Sequence, residues 1–151
     1  MNVVVKKTDD FKGVLKVAQS SKRYFETGFG QLKKDIQNHF LFGAYLNDTV
    51  IGFVTYKENS KDVIEISWLA VSPEYRNKGF GSQLVLDSLE QLKSSYKICE
   101  VKTLAETYKD PGYAKTRNFY KKLGFISLEI IHPYPGWDKD SPCQILVKFI
   151  Q

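Results

Sequence analysis

The feature that most constrains this fold is a change of hydrophobic period between residues 63 and 96. Val63–Val71 is typical of a strand, whereas the apolar side chains of residues 79–96 recur at the spacing of one helical face. The loop between them carries Arg76 and Lys78, and the helix opens with Gly79-Phe80-Gly81-Ser82. This pattern predicts a helix packed on a sheet and joined to it by a basic, glycine-rich turn.

The other elements are predicted from the period of the hydrophobic residues, from helix-capping residues and from residues that favour turns. Further strands are expected at Asn2–Lys6, Phe40–Leu46, Val50–Tyr56, Lys97–Leu104, Phe125–Ile131 and Gln144–Phe149. Helices are expected after a cap at Asp9 or Asp10, over Gly30–Asn38, and from Asp110-Pro111 to Gly124. Polar turns are expected at 47–49 and 58–62. This order predicts an α/β or α+β fold, with helices on the faces of a mixed sheet, in one domain over residues 1–151.

Composition limits the classes of function. The formal net charge of +5 comes from dispersed basic residues, 22 against 17 acidic ones, which indicates solvated helix faces rather than a nucleic-acid-binding stripe. No segment approaches the roughly 18 consecutive apolar residues of a membrane span, and residues 1–10 lack a signal-peptide core. A cytoplasmic protein without membrane contact is therefore expected. Cys99 and Cys143 have no histidine at ligand spacing, so neither a metal site nor a disulfide scaffold is expected.

The glycine-rich turn suits a phosphate ligand. The first-turn N–H groups of a helix have no internal partner and carry the positive end of the helix dipole, and glycines let phosphates approach the backbone closely. A dinucleotide-binding fingerprint needs a third glycine where Leu84 stands, and the Walker A pattern does not occur. Without its neighbours, the turn between Gly79 and Gly81 is equally compatible with a purely structural role.

Two motifs carry a resemblance to a known family. Leu69-Ala-Val-Ser-Pro-Glu-Tyr-Arg-Asn-Lys-Gly-Phe-Gly-Ser82 is similar to the acetyl-CoA motif of the GNAT superfamily of N-acetyltransferases, in which an apolar-Ala-Val step precedes R/Q-x-x-G-x-G/A. About forty residues later, Phe119-Tyr-Lys-Lys-Leu-Gly-Phe125 resembles the helix-to-strand segment that closes the cofactor cleft in that superfamily. The predicted element order also matches the family over nearly the whole chain.

The resemblance implies a mixed, mostly antiparallel sheet of seven strands with about four helices. Its fourth and fifth strands splay apart, and acetyl-CoA, the acetyl donor, lies between them without a metal. The backbone of Leu69 and Val71, on either side of Ala70, is expected to pair with the pantetheine arm, and the Val71 N–H to polarise the thioester carbonyl. The residues whose amides are expected to hold the pyrophosphate are Arg76, Asn77, Lys78, Gly79, Phe80, Gly81 and Ser82.

The same resemblance proposes two residues for the chemistry. Glu65 matches the general-base position of the histone-acetylating branch, and strand alternation predicts that it shares a face with Ser67, Leu69 and Val71. Tyr120 matches the tyrosine that protonates the departing thiolate in many members of the family. The alternatives are a partly exposed glutamate on a half-polar strand and an aromatic side chain that packs on the sheet.

The sequence departs from the family pattern seven residues before Tyr120. Tyr113 stands where an asparagine often holds the pantetheine, and Asn118 or Arg117 is expected to supply that contact instead. Neither His39 nor His132 has a serine or cysteine partner visible in the sequence, so no nucleophilic triad is expected.

The acceptor is expected to lie against two runs rich in aromatic and acidic residues, Tyr24–Gly30 and His132–Asp140. Such runs suit a cationic amine on a small molecule or a peptide, although the aromatics of the second run also suit pinning a loop. The predicted function is acetyl transfer from acetyl-CoA to a primary amine by direct attack in a ternary complex, by a monomer or homodimer. The alternatives are a non-catalytic acyl-CoA sensor and a nucleic-acid-binding module.

Overall fold

The strands and helices of the chain are arranged around one sheet. A computed structural model of the chain describes residues 1–21 and 27–151. Its strands are β1 (Val3–Lys7), β2 (Phe40–Leu46), β3 (Thr49–Ser60), β4 (Val63–Val71), β5 (Ile98–Leu104), β6 (Ile126–Ile131) and β7 (Cys143–Phe149). Its helices are α1 (Phe11–Gln19), α2 (Phe29–Asn38), α3 (Phe80–Leu92) and α4 (Pro111–Lys122), with one 3₁₀ turn at Pro73–Tyr75.

Among the described residues, the sheet has seven strands in the order β1-β2-β3-β4-β5-β7-β6. All neighbouring strands pair antiparallel except β4 and β5, which are parallel. This arrangement confirms the predicted mixed, mostly antiparallel sheet.

The parallel pair is short. The ladder of β4 and β5 runs from Val63–Ile98 to Glu65–Glu100, although β4 continues to Val71 and β5 to Leu104. The two strands therefore diverge after Glu65, as the resemblance implied for the fourth and fifth strands. The split leaves one side of β4 facing an open space.

Helices cover both faces of the sheet. The larger core cluster joins one face to α3 through Leu84, Val85 and Leu89, and the smaller cluster joins the other face to α1 and α2 through Val14 and Leu32. Each face is thereby removed from water, which is the main stabilising contribution to such a layered fold. None of these described helices is both long and apolar enough to span a membrane.

Two predicted helix starts are confirmed by their capping contacts. Asp10 accepts a hydrogen bond from the Gly13 N–H at 3.0 Å at the start of α1, and Asp110 accepts one from the Gly112 N–H at 2.8 Å at the start of α4. Each carboxylate satisfies an N–H that has no partner within its helix. Gly124, with a φ of 95°, follows α4 in the predicted left-handed conformation.

The predicted turn at 58–62 was wrong, because β3 continues through most of it. Strand pairing extends to Ser60–Val63, so the turn is confined to residues 61 and 62. Asn59 stabilises this polar end of the strand by donating hydrogen bonds to the carboxylates of Glu65 and Glu100 at 2.8 and 2.7 Å. Cross-strand side-chain contacts thus outweigh the turn propensity of the segment.

The prediction that Glu65 shares a strand face with Leu69 and Val71 was also wrong, because β4 contains a bulge. Thr55 lies opposite Trp68 and Tyr56 lies opposite Ile66, so Ser67 is the extra residue of β4. Ile64 and Ile66 belong to the larger core cluster, and Leu69 and Val71 pack against the same cluster. Glu65, between two of these core residues, therefore points to the opposite face from Leu69 and Val71.

Candidate active site

The divergence of β4 and β5 opens a cleft of about 970 Å³, called here the main cleft. It is bounded by β4 from Ile66 onwards, by the loop and first turn of α3, by β5 and by one face of α4. A cleft of this size and position is typical of a ligand site.

The first turn of α3 presents backbone N–H groups to the main cleft. Gly79 has a φ of 85° and Asn77 a φ of 61°, so two residues in the left-handed region direct the chain into the helix. Among the described residues no side chain caps this helix start, and no acidic residue stands in its first turn. The dipole and the first-turn amides can therefore act on a bound anion.

The backbone of β4 also faces the main cleft. The Ser72 N–H donates to the Ile51 carbonyl of β3 at 2.8 Å, and antiparallel pairing alternates direction along a strand. The backbone groups of Leu69 and Val71 therefore point away from β3, towards the cleft. Arg76 fixes the following loop, because its Nε donates to the Val71 carbonyl at 2.9 Å and its Nη2 to Ser21 Oγ at 3.1 Å.

The structure brings most of the predicted cofactor-binding residues together. Those that line the main cleft are Leu69, Ala70, Val71, Arg76, Asn77, Gly79, Phe80, Gly81, Ser82 and Asn118. Lys78 is not among the described residues that line it. These residues come from two distant parts of the chain, and the splayed sheet is what makes them neighbours.

Tyr120 lines the main cleft from α4 and is nearly buried, with 5% of its surface exposed. Its ring packs edge-on against Phe125 and Phe119, with centroids 5.4 and 5.1 Å away. These contacts hold the aromatic ring in one place at the cleft wall. The packing role is therefore observed, and the catalytic role stays a prediction.

Glu65 lies outside the set of described residues that line the main cleft. Its Oε1 accepts hydrogen bonds from Lys102 Nζ and from Asn59 Nδ2, both at 2.8 Å, and Glu100 lies on the neighbouring strand. Burial raises the pKa of Glu100. Burial alone lowers the pKa of Lys102, but its hydrogen bonds to Glu65 and Tyr134 and the negative charges of Glu65 and Glu100 together outweigh this effect and raise it.

Of the residues of α4 that line the main cleft, only Asn118 and Tyr120 were predicted to act there. Tyr113, Lys115, Thr116, Asn118, Phe119 and Lys122 share the cleft-facing side of this helix. They extend over more than half of the helix circumference, because neighbouring positions such as Lys115 and Thr116 both line the cleft, so no single helical stripe in the sequence marks them. Arg117, one of the two predicted substitutes for the missing asparagine, is instead buried and donates to the Leu104 carbonyl at 2.7 Å.

The two runs predicted to contact the acceptor lie at different places in the structure. Residues 24–26 of the first run lie outside the described residues, whereas Thr27 and Gly28 line the main cleft beside Trp68. Trp68 packs so closely on Gly28 that a Cβ at residue 28 would lie 2.6 Å from its Cη2. Trp137 and Asp138 of the second run line a neighbouring pocket of about 350 Å³.

His39 has a serine partner in space, contrary to the sequence prediction. Its Nδ1 lies 2.9 Å from Ser67 Oγ, and its Nε2 lies 3.7 Å from Asp35 Oδ1. The three residues come from the end of α2 and from the bulge of β4, so no local sequence motif marks them. Within residues 1–21 and 27–151, no group of three or more His, Cys, Asp or Glu side chains is arranged to hold a metal ion.

The splayed sheet and the glycine-rich turn in its cleft agree with the resemblance to the GNAT family that the two sequence motifs carry. The model of the acetyltransferase (GNAT) family matches residues 11–125, so the chain belongs to this family. Its sequence is 26% identical over 133 residues to an uncharacterized N-acetyltransferase of Methanocaldococcus jannaschii. That match covers 84% of this chain and 55% of the relative, so the chain spans about half the length of the curated relative it matches.

Solved structures show the same fold. A GNAT-family acetyltransferase structure from Desulfovibrio desulfuricans is 16% identical, with a TM-score of 0.85 and coverage of 99% of this chain and 100% of that one. A GNAT acetyltransferase from Elizabethkingia anophelis with acetyl-CoA bound is 20% identical, with a TM-score of 0.71 and coverage of 98% of both chains. At such identities the likeness concerns the fold alone.

Proposed function

We propose that this protein transfers the acetyl group of acetyl-CoA to a primary amine by direct attack in a ternary complex. The observation that carries the proposal is the meeting of two binding elements in one cleft. The backbone of β4 and the uncapped start of α3 both face the space where β4 and β5 diverge. A long ligand with an extended amide arm and a pyrophosphate matches both elements.

Acetyl-CoA fits the chemistry of this cleft. The N–H groups of residues 79–82 hold the pyrophosphate, with Lys115 and Lys122 on the opposite wall adding positive charge. The backbone of Leu69 pairs with the amides of the pantetheine arm, as one strand pairs with another, while the Val71 carbonyl accepts from Arg76 Nε and leaves its N–H for the acetyl end. Asn118 lines the cleft from α4. It supplies the polar contact that an asparagine often makes at the position where this chain has Tyr113.

The reaction needs an uncharged amine, a donor for the carbonyl oxygen and a proton for the departing thiolate. The Val71 N–H is assigned to the carbonyl oxygen and the Tyr120 hydroxyl to the thiolate. Glu65 is the carboxylate that the family resemblance assigns to the amine proton. In this structure that carboxylate is committed to Lys102 and Asn59, so it acts only through a bridging water or after rearrangement.

The acceptor is an amine on a small molecule or a peptide. Trp68 and the Thr27-Gly28 backbone line one end of the main cleft, and the pocket with Trp137 and Asp138 adjoins it through Lys102 and Thr103. Aromatic rings and a carboxylate attract an ammonium group by cation–π and charge contacts.

The test is thiol release from acetyl-CoA with a panel of amines and peptides, with the protein-free rate subtracted. We expect release that depends on both protein and amine, together with mass-spectrometric detection of the acetylated amine. Acetyl-CoA binding without transfer to any amine would contradict the proposed catalysis and favour a sensor.

A further inference from the structure

A line of polar contacts runs from the main cleft through Ser67 and His39 to Asp35 at the end of α2, and its hydrogen bonds end at the imidazole. Ser67 Oγ lies 2.9 Å from His39 Nδ1 and 2.6 Å from Thr55 Oγ1. On the other side of the imidazole, His39 Nε2 lies 3.7 Å from Asp35 Oδ1. The side chains of His39 and Asp35 are only 16% and 14% exposed, whereas Ser67 lines the cleft. The line therefore connects a cleft residue to a shielded imidazole and carboxylate.

Local structure fixes every member of this line. The His39 N–H donates to the Asp35 carbonyl at 2.8 Å at the end of α2, which places the two side chains one helical turn apart. The Asp35 carboxylate is held by Trp68 Nε1 and Gln31 Nε2, both at 2.8 Å. Ser67 occupies the bulge of β4, just beyond the point where β5 diverges. The geometry is therefore set by the fold before any ligand binds.

The number of donors and acceptors on each side chain determines which group donates in each contact. The Asp35 carboxylate favours the tautomer of His39 that carries its proton on Nε2, which leaves Nδ1 as an acceptor. The Ser67 hydroxyl has two acceptors within reach, His39 Nδ1 at 2.9 Å and the Thr55 carbonyl at 3.3 Å. The shorter contact directs its proton to the imidazole, while the Thr55 hydroxyl donates to Ser67 Oγ. One lone pair of Ser67 Oγ remains for a donor in the cleft. An ammonium group is such a donor.

We propose that Ser67 and His39 remove the proton from the acceptor ammonium, an inference that rests on the proposed acetyl transfer. Ser67 Oγ accepts a proton from the ammonium while its own hydroxyl proton passes to His39 Nδ1, and Asp35 stabilises the imidazolium. The uncharged amine attacks the thioester carbonyl, so that a C–N bond forms and the C–S bond breaks. Tyr120 protonates the thiolate and recovers a proton from the new amide nitrogen. The proton left on His39 returns to water.

This route differs from the one that the family resemblance assigns to Glu65. The Glu65 carboxylate accepts from Lys102 and Asn59 and does not line the cleft among the described residues. His39, in contrast, reaches the cleft through Ser67 at hydrogen-bonding distance. The two routes make opposite predictions for variants.

The test compares two amines of similar shape, ethylamine and trifluoroethylamine. Ethylamine is an ammonium ion at neutral pH, whereas trifluoroethylamine is already uncharged and needs no base. The variants are His39→Gln, which can accept the Ser67 hydrogen bond but cannot take up a proton, Ser67→Ala, and Glu65→Gln. Asn38→Ala, at the neighbouring exposed position of α2, is the control for helix-end effects. Thermal unfolding verifies that each variant folds.

We expect His39→Gln and Ser67→Ala to lower kcat/KM for ethylamine about 100-fold and to change that for trifluoroethylamine by less than about threefold. Asn38→Ala changes neither. The proposal is overturned if His39→Gln affects both amines equally or neither, or if the ethylamine-specific loss belongs to Glu65→Gln alone. If wild-type protein binds acetyl-CoA in calorimetry but releases no thiol with either amine, acetyl transfer itself fails, and the proton route fails with it.

Discussion

Tyr120 is the residue whose chemistry is most open to a direct test. Replacing Tyr120 by Phe keeps the ring that packs against Phe119 and Phe125 and removes only the hydroxyl. We expect kcat to fall about 100-fold because the thiolate loses its proton donor, while folding and acetyl-CoA affinity stay unchanged. Steady-state thiol release measures the first effect, and thermal unfolding and calorimetry the others. Undiminished kcat in a folded Tyr120→Phe protein would remove this residue from the mechanism.

The two cysteines are predicted to be unreactive in the native protein. Both are free and buried, and burial raises the pKa of the Cys99 thiol and that of Cys143, the latter to about 11. Because the thiolate is the reactive form, Ellman's reagent should label neither residue in the folded chain and both after denaturation. Rapid labelling of native protein would show that one of these sites opens to solvent. The same experiment measures the background of thiol-release assays.

The turn into α3 can be tested as an element. Gly79→Ala places a Cβ at a φ of 85°, where left-handed backbone costs about 1–2 kcal/mol, and also in the space in front of the first-turn amides. We expect reduced stability together with weaker acetyl-CoA binding, measured by urea unfolding and calorimetry.

Gly124→Ala is the matched control for that prediction. It has similar left-handed strain, at a φ of 95°, and its Cβ would also displace Lys148 Nζ, which would lie 2.8 Å away, but it lies at the end of α4 and is not among the described residues that line the cleft. It should lose stability and keep its affinity for acetyl-CoA. Equal losses of affinity in both variants would mean that the turn at Gly79 has no special part in binding.

Among the elements, the sequence predicted best where the signal is local. The glycine-rich start of α3 and the capping Asp110 are both readable within a few residues. The bulge at Ser67 is not, because it depends on the register between β3 and β4 rather than on β4 alone. The extended end of β3 was missed for the same reason, since Asn59 is held by side chains on neighbouring strands.

The whole molecule is predicted to lose stability in alkali. Burial raises the pKa of Cys143 from 9.0 to about 11, and a hydrogen bond to Glu58 raises that of Tyr96 from 10.0 to about 12. In both cases the folded state holds its proton more tightly than the unfolded chain, so the free energy of unfolding falls as pH rises from about 9 to about 12. Urea unfolding across this range measures the fall. Tyr96→Phe and Cys143→Ser should each reduce the fall in the free energy of unfolding with pH. An unchanged pH dependence in both variants would contradict the raised pKa values of these two residues.

At the same scale, the sequence predicted the cleft but not the side-chain contacts at its edge and beside it. The order of elements and the two motifs are enough to bring the α3 turn and Tyr120 to one splayed sheet. The pairing of Glu65 with Lys102 and that of His39 with Ser67 join residues 37 and 28 positions apart. Such partners are decided by tertiary packing, so the base for the amine was the least predictable part of the site.

The central claim is that the space between β4 and β5 binds acetyl-CoA. Calorimetric titration of acetyl-CoA into the protein tests it most directly, because it needs no knowledge of the acceptor. We predict saturable binding of one acetyl-CoA per chain. Binding of no acetyl-CoA, by a protein that thermal unfolding shows to be folded, would contradict the claim.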